Sequence, residues 1–394
     1  MQAFVSKIEQ RTVQHMPVNE KRQLVLHIGD PKTGTSSIQR ALQLGLVDGM
    51  CGKVSAFTTD NGSANAVSLA RSFNRKGRTR VKTEMQPVMK WLSSTTTPYA
   101  VISSEFFSNA DPSMVRRAFA RRYPALTSNI KVIAYARPHV GRTLAAYSER
   151  VKCGYTLSDF DQWLPVFMKS AFIRYHLRFK KWRDEFGPGF VVRPFVPEEL
   201  KGADAVTDFF ASALDTQDFS VGSMMRENQT VTAKALAGLR HFNREAASAD
   251  IPPGYRIPLA RTIAKGIRTD PAAEKLEVDK ASVALILQQF AEDARLLDAE
   301  FFGRPLFLPK LEAAERNAGE RPIRLKIDDY FTPREQSLIA GHTASILELM
   351  PSSQEDWMLH YHENRARYNR GLPPDVDGGG EIQQRLQELM ALFG

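Results

Sequence analysis

The stretch HIGDPKTGTSS, residues 27–37, sets two glycines, a lysine and a run of hydroxyl residues between an apolar segment and a helical pattern. Strand, glycine-bearing loop and helix in that order aim backbone N–H groups and a helix N-terminus at one point, which suits phosphate or a similar anion. In the nucleoside-triphosphate loop GxxxxGK[ST] the lysine directly follows the second glycine. Here Gly29 and Gly34 keep the glycine spacing, Thr35 occupies the lysine position, and Lys32 lies inside the loop. From there a lysine reaches a bridging oxygen and neutralises charge as it develops on a leaving phosphate. The aspartate that would hold magnesium in a nucleotide hydrolase has no counterpart: one later apolar run reads IKVIAYA (130–136), and the other, YAVIS (99–103), leads into Ser104 and Glu105. No metal ligand set is indicated.

Such residues need a frame. LVLHI (24–28), YAVIS (99–103), IKVIAYA (130–136) and FVVRPF (190–195) are short apolar runs, each followed by a helical pattern. That alternation predicts a three-layer α/β fold of the P-loop type, a parallel sheet with helices on both faces. Helices are expected from about Gly34 to Leu46, after Pro112 with Asp111 as cap, after Pro138, near Ala203 to Leu214, over 230–247 with Thr230 as N-cap, and over 280–300. Phe172, Tyr175, Phe179, Trp182 and Phe186 recur at helical spacing and read as core packing, not as a ligand cage. His27, inside a buried strand, reads as a satisfied core histidine, and His139, beside Pro138, as a surface or cofactor-rim residue.

From about residue 311 the pattern loosens, and LPPDVDGGG (372–380) forms a breaker before a terminal amphipathic helix with Ile382, Leu386 and Leu389 on one face. The expected organisation is an N-terminal segment over 1–21, a nucleotide-binding domain over 22–310, and an acidic, mainly helical C-terminal extension over 311–394. The apolar face of the last helix fits either a partner, including a second copy in a homo-oligomer, or the chain's own body.

Charge follows the same division. Residues 1–310 hold 44 Lys/Arg against 30 Asp/Glu, residues 311–394 hold 9 against 14, and the whole chain carries +9. Residues 116–152 alone contain nine bases and a single acid, Glu149, which makes a surface able to attract anions. Cys51 and Cys153 are the only cysteines and lie far apart, so neither a disulfide framework nor a zinc site is expected. The first twenty residues lack the apolar run of a signal peptide, and no transmembrane stretch follows. A cytoplasmic protein is the expectation. Nucleic acid is not an expected partner, because no basic motif interleaved with aromatics is present.

PKTGTSS resembles the 5′-phosphosulfate loop of sulfotransferases that use 3′-phosphoadenosine-5′-phosphosulfate, particularly bacterial members similar to carbohydrate sulfotransferases. VISSEFF (101–107), AYARP (134–138), RFKKWRDEFGPGFVVRPF (178–195), RENQTVTAKAL (226–236) and FFGRPLF (301–307) match in the family's order, so the resemblance covers about residues 22–310. It implies that Lys32 contacts the sulfuryl group and the bridging oxygen, while Thr33, Gly34, Thr35 and Ser36 bind the 5′-phosphate. It implies further that Arg137 grips the 3′-phosphate. The family's second 3′-phosphate ligand, a serine eight positions later, is Ala145 here; Ser148, one turn on, is the substitute, with Thr143 or Arg142 as other donors.

Sulfuryl transfer moves an SO3 unit in line between oxygens and needs positioning and charge stabilisation more than a metal. The acceptor, a hydroxyl of a carbohydrate or glycolipid by the resemblance, needs a general base. Glu105 is the candidate, since it follows a strand at the edge where parallel sheets collect ligands. Arg193 and Phe195 are placed to border the nucleotide, with a helix-pairing charge as the equal alternative for Arg193. The acceptor side is represented only by basic residues: Arg71, Arg75, Lys76, Arg78, Arg80 and Lys82. Two other readings stand beside this one: a P-loop kinase or other NTP-dependent transferase, and a non-catalytic binding protein on a nucleotide fold.

Overall fold

Leu24, Leu26 and Ile28 alternate with Val25 and His27, and none of the five is more than 1% exposed. A strand buried on both faces belongs at the centre of a sheet with helices above and below it. In the computed structural model, which describes residues 22–48, 52–74, 80–214, 216, 218–222, 231–267 and 276–394, this strand is β1 (Gln23–Gly29). It is followed by α1 (Thr35–Leu44), β2 (Val54–Ala56), β3 (Tyr99–Ser103) and β4 (Ile130–Ala136). Then come α2 (His139–Lys152), α3 (Tyr175–Phe186), β5 (Phe190–Pro194) and α4 (Ala205–Ala213). The order across the sheet is β2-β3-β1-β4-β5, and every pairing is parallel. β1 therefore lies between β3 and β4, and the C-terminal ends of all three open into one crevice.

One sheet face packs Val25, Val101 and Ile133 against Ile38 of α1 and Phe209 of α4. The other packs Leu24, Leu26, Ile102 and Val132 into a larger cluster that continues through the rest of the chain. Its helices include α5 (Ala233–Ser248), α6 (Pro253–Gly266), α7 (Lys280–Leu297), α8 (Pro333–Asn369) and α9 (Gly380–Phe393). The breaker at 372–380 falls between α8 and α9. Ile382, Leu386 and Leu389 are buried against the protein's own body.

Several expectations shift. The short edge strand β2 and a two-residue ribbon between Val47–Asp48 and Ser220–Val221 carry too little apolar periodicity to be read in advance; the helix Val81–Ser94, with Met85, Val88 and Leu92 buried at helical spacing and Pro87 inside it, is not among the expected helices. α5 begins at Ala233, and its cap is Thr232, whose side chain accepts from the Ala235 N–H (3.1 Å); Thr230 lies outside the described residues. Phe172 falls in a short turn before α3 and is 42% exposed, so the aromatic stripe begins at Tyr175.

Candidate functional site

The anion loop depends on three left-handed residues: Gly29 (φ 71°), Lys32 (φ 69°) and Gly34 (φ 76°). Glycine adopts this region freely, whereas a lysine there is strained and persists only when its surroundings fix it. A Cβ on Gly29 would stand 2.9 Å from the Cα of Glu105, and one on Gly34 would stand 2.6 Å from the Cβ of Ala205. The loop thus runs pressed between β3's end and α4. Thr33 and Thr35 donate their hydroxyls to the Asp30 carbonyl, at 2.5 and 3.2 Å, and so hold the turn from inside. Gly34 precedes α1 and supplies no side-chain cap. The first N–H groups of α1, with exposed Ser36 among them, are left facing the loop opening.

Five cations and two carboxylates surround this loop. Asp30, fully buried, takes Arg142 Nε on Oδ2 (2.9 Å) and Arg178 Nη1 on Oδ1 (2.8 Å), joining α2 and α3 to the loop. Lys32 Nζ meets Glu149 Oε2 at 3.1 Å, and Lys152 Nζ meets the same oxygen at 3.2 Å. Burial works to raise the Glu149 carboxyl, but the two ammonium groups outweigh it and hold the pKa down to about 2. Arg137, at the end of β4, donates to the Lys32 carbonyl (3.4 Å) and lies 5.9 Å from the ring of Phe195. Burial lowers its guanidinium below the ordinary value. Ser148 donates its hydroxyl to Leu144 O (2.9 Å), so it offers a proton to an anion only after giving up that bond. Arg142 is committed to Asp30, and Thr143 is buried.

Across the crevice Glu105 follows β3. Its Oε2 accepts from the amides of Gln39 (3.2 Å) and Asn65 (3.0 Å). Beneath it Ser103 Oγ bonds His27 Nδ1 at 2.8 Å; burial pushes that imidazole down to about 3, which keeps it neutral in the core as expected. His139 is not at the rim. It is fully buried, stacked on Phe290 and bonded through Nε2 to Asp293 Oδ2 (3.0 Å) of α7. Arg193 pairs with Asp208 of α4 (2.5 Å), its helix-pairing reading, while Phe195 borders the loop beside Gly34. Of the basic segment, Arg71 lies over Phe106 (4.4 Å) and Arg80 and Lys82 are exposed; Arg75, Lys76 and Arg78 lie outside the described residues. Among the described residues no group of three or more His, Cys, Asp or Glu is placed to hold a metal ion, and no helix is long and apolar enough to cross a membrane.

No family model matches this chain, and no curated protein does. Among solved structures, the crystal structure of a sulfotransferase from Alicyclobacillus acidocaldarius is similar at 16% sequence identity. The match covers 74% of this chain and 99% of that one, with a TM-score of 0.43.

Most of the residues that complete the site are silent in the sequence. Asp30 stands inside the motif, but its partner Arg178 is 148 positions away, and nothing linear joins them. Glu149 did give a signal, as the lone acid in a basic stretch. Gln39 sits one turn into α1 and Asn65 in a polar loop, where an amide has many ordinary uses.

Proposed function

We propose that this protein is a cytoplasmic sulfotransferase that moves a sulfuryl group from 3′-phosphoadenosine-5′-phosphosulfate to a hydroxyl of a carbohydrate or glycolipid. The observation that carries the reading is the loop itself: Lys32, held in a left-handed turn inside it, next to a helix N-terminus that no side chain caps. The residues present fit an anionic nucleotide. Two glycines let backbone approach closely, the N–H groups of Gly34, Thr35 and Ser36 point out of α1, and Arg137 adds a half-buried positive charge nearby.

Bound there, the donor supplies an activated sulfuryl group on a phosphate leaving group. Lys32 Nζ exchanges its contact with Glu149 for the oxygen on which charge develops, a contact worth about 2 to 4 kcal/mol in the transition state. Thr33 and Thr35 keep the turn in shape, and the Ser36 hydroxyl and loop amides take the 5′-phosphate. Arg137, with Ser148 if its hydroxyl turns, takes the 3′-phosphate. Glu105 removes the acceptor's proton.

A second reading, a non-catalytic nucleotide-binding protein, is favoured by Ala145 and by the bond from Ser148 to its own helix. Thermal unfolding with 3′-phosphoadenosine 5′-phosphate, or with ATP and magnesium, separates these readings. Stabilisation by the bisphosphate alone, about 2.7 kcal/mol at a hundredfold excess over Kd, supports the donor site. A preference for ATP with magnesium supports a kinase and overturns the proposal. Bisphosphate binding without transfer to any of a set of saccharides favours the non-catalytic protein.

A further inference from the structure

The far end of the chain reaches this site. α8 runs for 37 residues, and its N-terminal end is fixed by the capping box of Thr332 with Glu335 and by an ion pair from Lys234 to Glu335 (3.2 Å). At about 1.5 Å per residue the helix is long enough to span the molecule. Its last turn lands on α1, the helix that rises from the anion loop. Arg40 donates to the Tyr368 carbonyl (2.5 Å) and lies 4.3 Å over the Tyr368 ring, and the Gln43 amide donates to the Asn369 carbonyl. Arg40 and Gln43 are one turn apart on the same face of α1.

The same turn touches the opposite wall. Asn369, 9% exposed, donates its amide to the Asn61 carbonyl (3.0 Å), in the middle of the loop between β2 and the helix Val67–Ser72. That loop starts at Phe57, whose N–H bonds Val101 O (2.9 Å), and ends where Ala66 N–H bonds Ser103 O (2.9 Å). Just before its end, Asn65 gives its amide to Glu105 Oε2 at 3.0 Å. Between those ends the loop closes its own turn, with the Thr59 N–H on Ser63 O (2.9 Å) and the Gly62 N–H on Thr59 O (2.7 Å); left to itself such a turn swings as a unit about its anchored ends and carries the Asn65 amide away from Glu105 for part of the time. The part-buried hydrogen bond from Asn369 to the Asn61 carbonyl holds that turn in one position.

We propose that the last turn of α8 is a clamp on the acceptor side of the site. Asn369 is a positioning residue that holds loop 57–65, and through Asn65 the carboxylate of Glu105, in the geometry for taking a proton. The effect on turnover rests on the sulfuryl-transfer reading; the clamp itself does not.

Asn369→Ala and Asn369→Gln are compared with the wild-type full-length chain by amide hydrogen exchange, bisphosphate affinity and donor turnover with a panel of mono- and disaccharides. Asn369→Ala is expected to speed exchange at both 57–66 and 103–107 while leaving the strand 130–136 unchanged. Bisphosphate Kd stays within about twofold, and kcat falls about 10- to 100-fold. Asn369→Gln, which keeps an amide donor, recovers most of the loss. Faster exchange at neither segment, or at 57–66 alone, overturns the clamp, as does an unchanged kcat in an active enzyme. If the wild type neither binds the bisphosphate nor turns over the donor, the sulfuryl-transfer reading falls and the exchange result alone decides the clamp. Should Asn369→Ala fail to fold, Gln43→Ala removes the tie from the α1 side and is read in the same way.

Discussion

Lys32 combines a strained backbone with a functional ammonium, and the two are separable by substitution. Lys32→Ala keeps a Cβ at φ 69°, whereas Lys32→Gly removes it. Both variants are expected to lose most bisphosphate binding in a titration, and Lys32→Gly is expected to melt higher than Lys32→Ala in the absence of ligand. Equal affinity in either variant and the wild type would remove the lysine from the donor site. Glu105→Gln retains the oxygen that accepts from Gln39 and Asn65, so bisphosphate binding stays intact while kcat falls by about 10²–10⁴, the usual contribution of a general base. Acid stability follows from two depressed groups. His27 has a folded pKa of about 3 against an ordinary 6.5, so below pH 6.5 the unfolded chain takes a proton that the folded one refuses. Its contribution is complete above 6.5 and is lost as pH falls toward 3. Glu149, at about 2 against 4.5, contributes fully above 4.5 and loses its effect only below that. Between pH 6.5 and 4.5 the urea midpoint of the wild type therefore falls with pH, and His27→Gln flattens that slope in part; His241, lowered by burial with the same sign, retains the remainder.

At the scale of elements, the loop is held by two helices through one carboxylate. Asp30 is buried beneath Arg142 of α2 and Arg178 of α3, and a buried ion pair that loses one partner leaves an uncompensated charge. Asp30→Asn is expected to lower the stability in urea by about 3 to 5 kcal/mol, with loss of bisphosphate binding because the turn between Gly29 and Gly34 loses its floor. A change below about 1 kcal/mol would mean that the arginines find water instead. The strands and the loop could be read because their signals are local: β3 and β4 are continuous apolar runs, and the spacing of Gly29 and Gly34 is a short-range demand on φ. What was misread or missed has the opposite cause. Nothing near His139 announces Asp293, 154 positions away, which turns an apparent rim residue into a core one. The partners of Asp30 are as distant, Arg142 by 112 positions and Arg178 by 148, and the clamp at Asn369 joins positions more than 300 apart.

At the scale of the whole molecule, the acidic extension and the basic body do not pack as separate cores. One continuous buried cluster runs from Leu24 of β1 to Phe393, the penultimate residue, by way of Trp182, Leu236 and Trp357. Phe393 is fully buried, and its ring lies where a Cβ on Gly238 of α5 would stand, 2.6 Å away, so the glycine is what admits it. Truncating such a ring removes its burial and leaves a cavity, and Phe393→Ala is expected to cost about 3 to 5 kcal/mol. Gly238→Ala overfills the same space and costs about 1 to 3 kcal/mol. The two should not add: in the double variant the new methyl occupies part of the vacated volume, so the pair is less destabilised than the sum, and a double-mutant cycle gives a favourable coupling. Because the core is continuous, the loss moves the whole transition. Far-UV circular dichroism and tryptophan fluorescence, which reports on Trp357 of α8 as well as Trp182 of α3, are expected to shift together in urea as one cooperative step. An early fluorescence step in Phe393→Ala, with the sheet still folded, would show instead that α8 and α9 fold on their own, and the coupling between Asn369 and Glu105 would then lack the rigid support it requires.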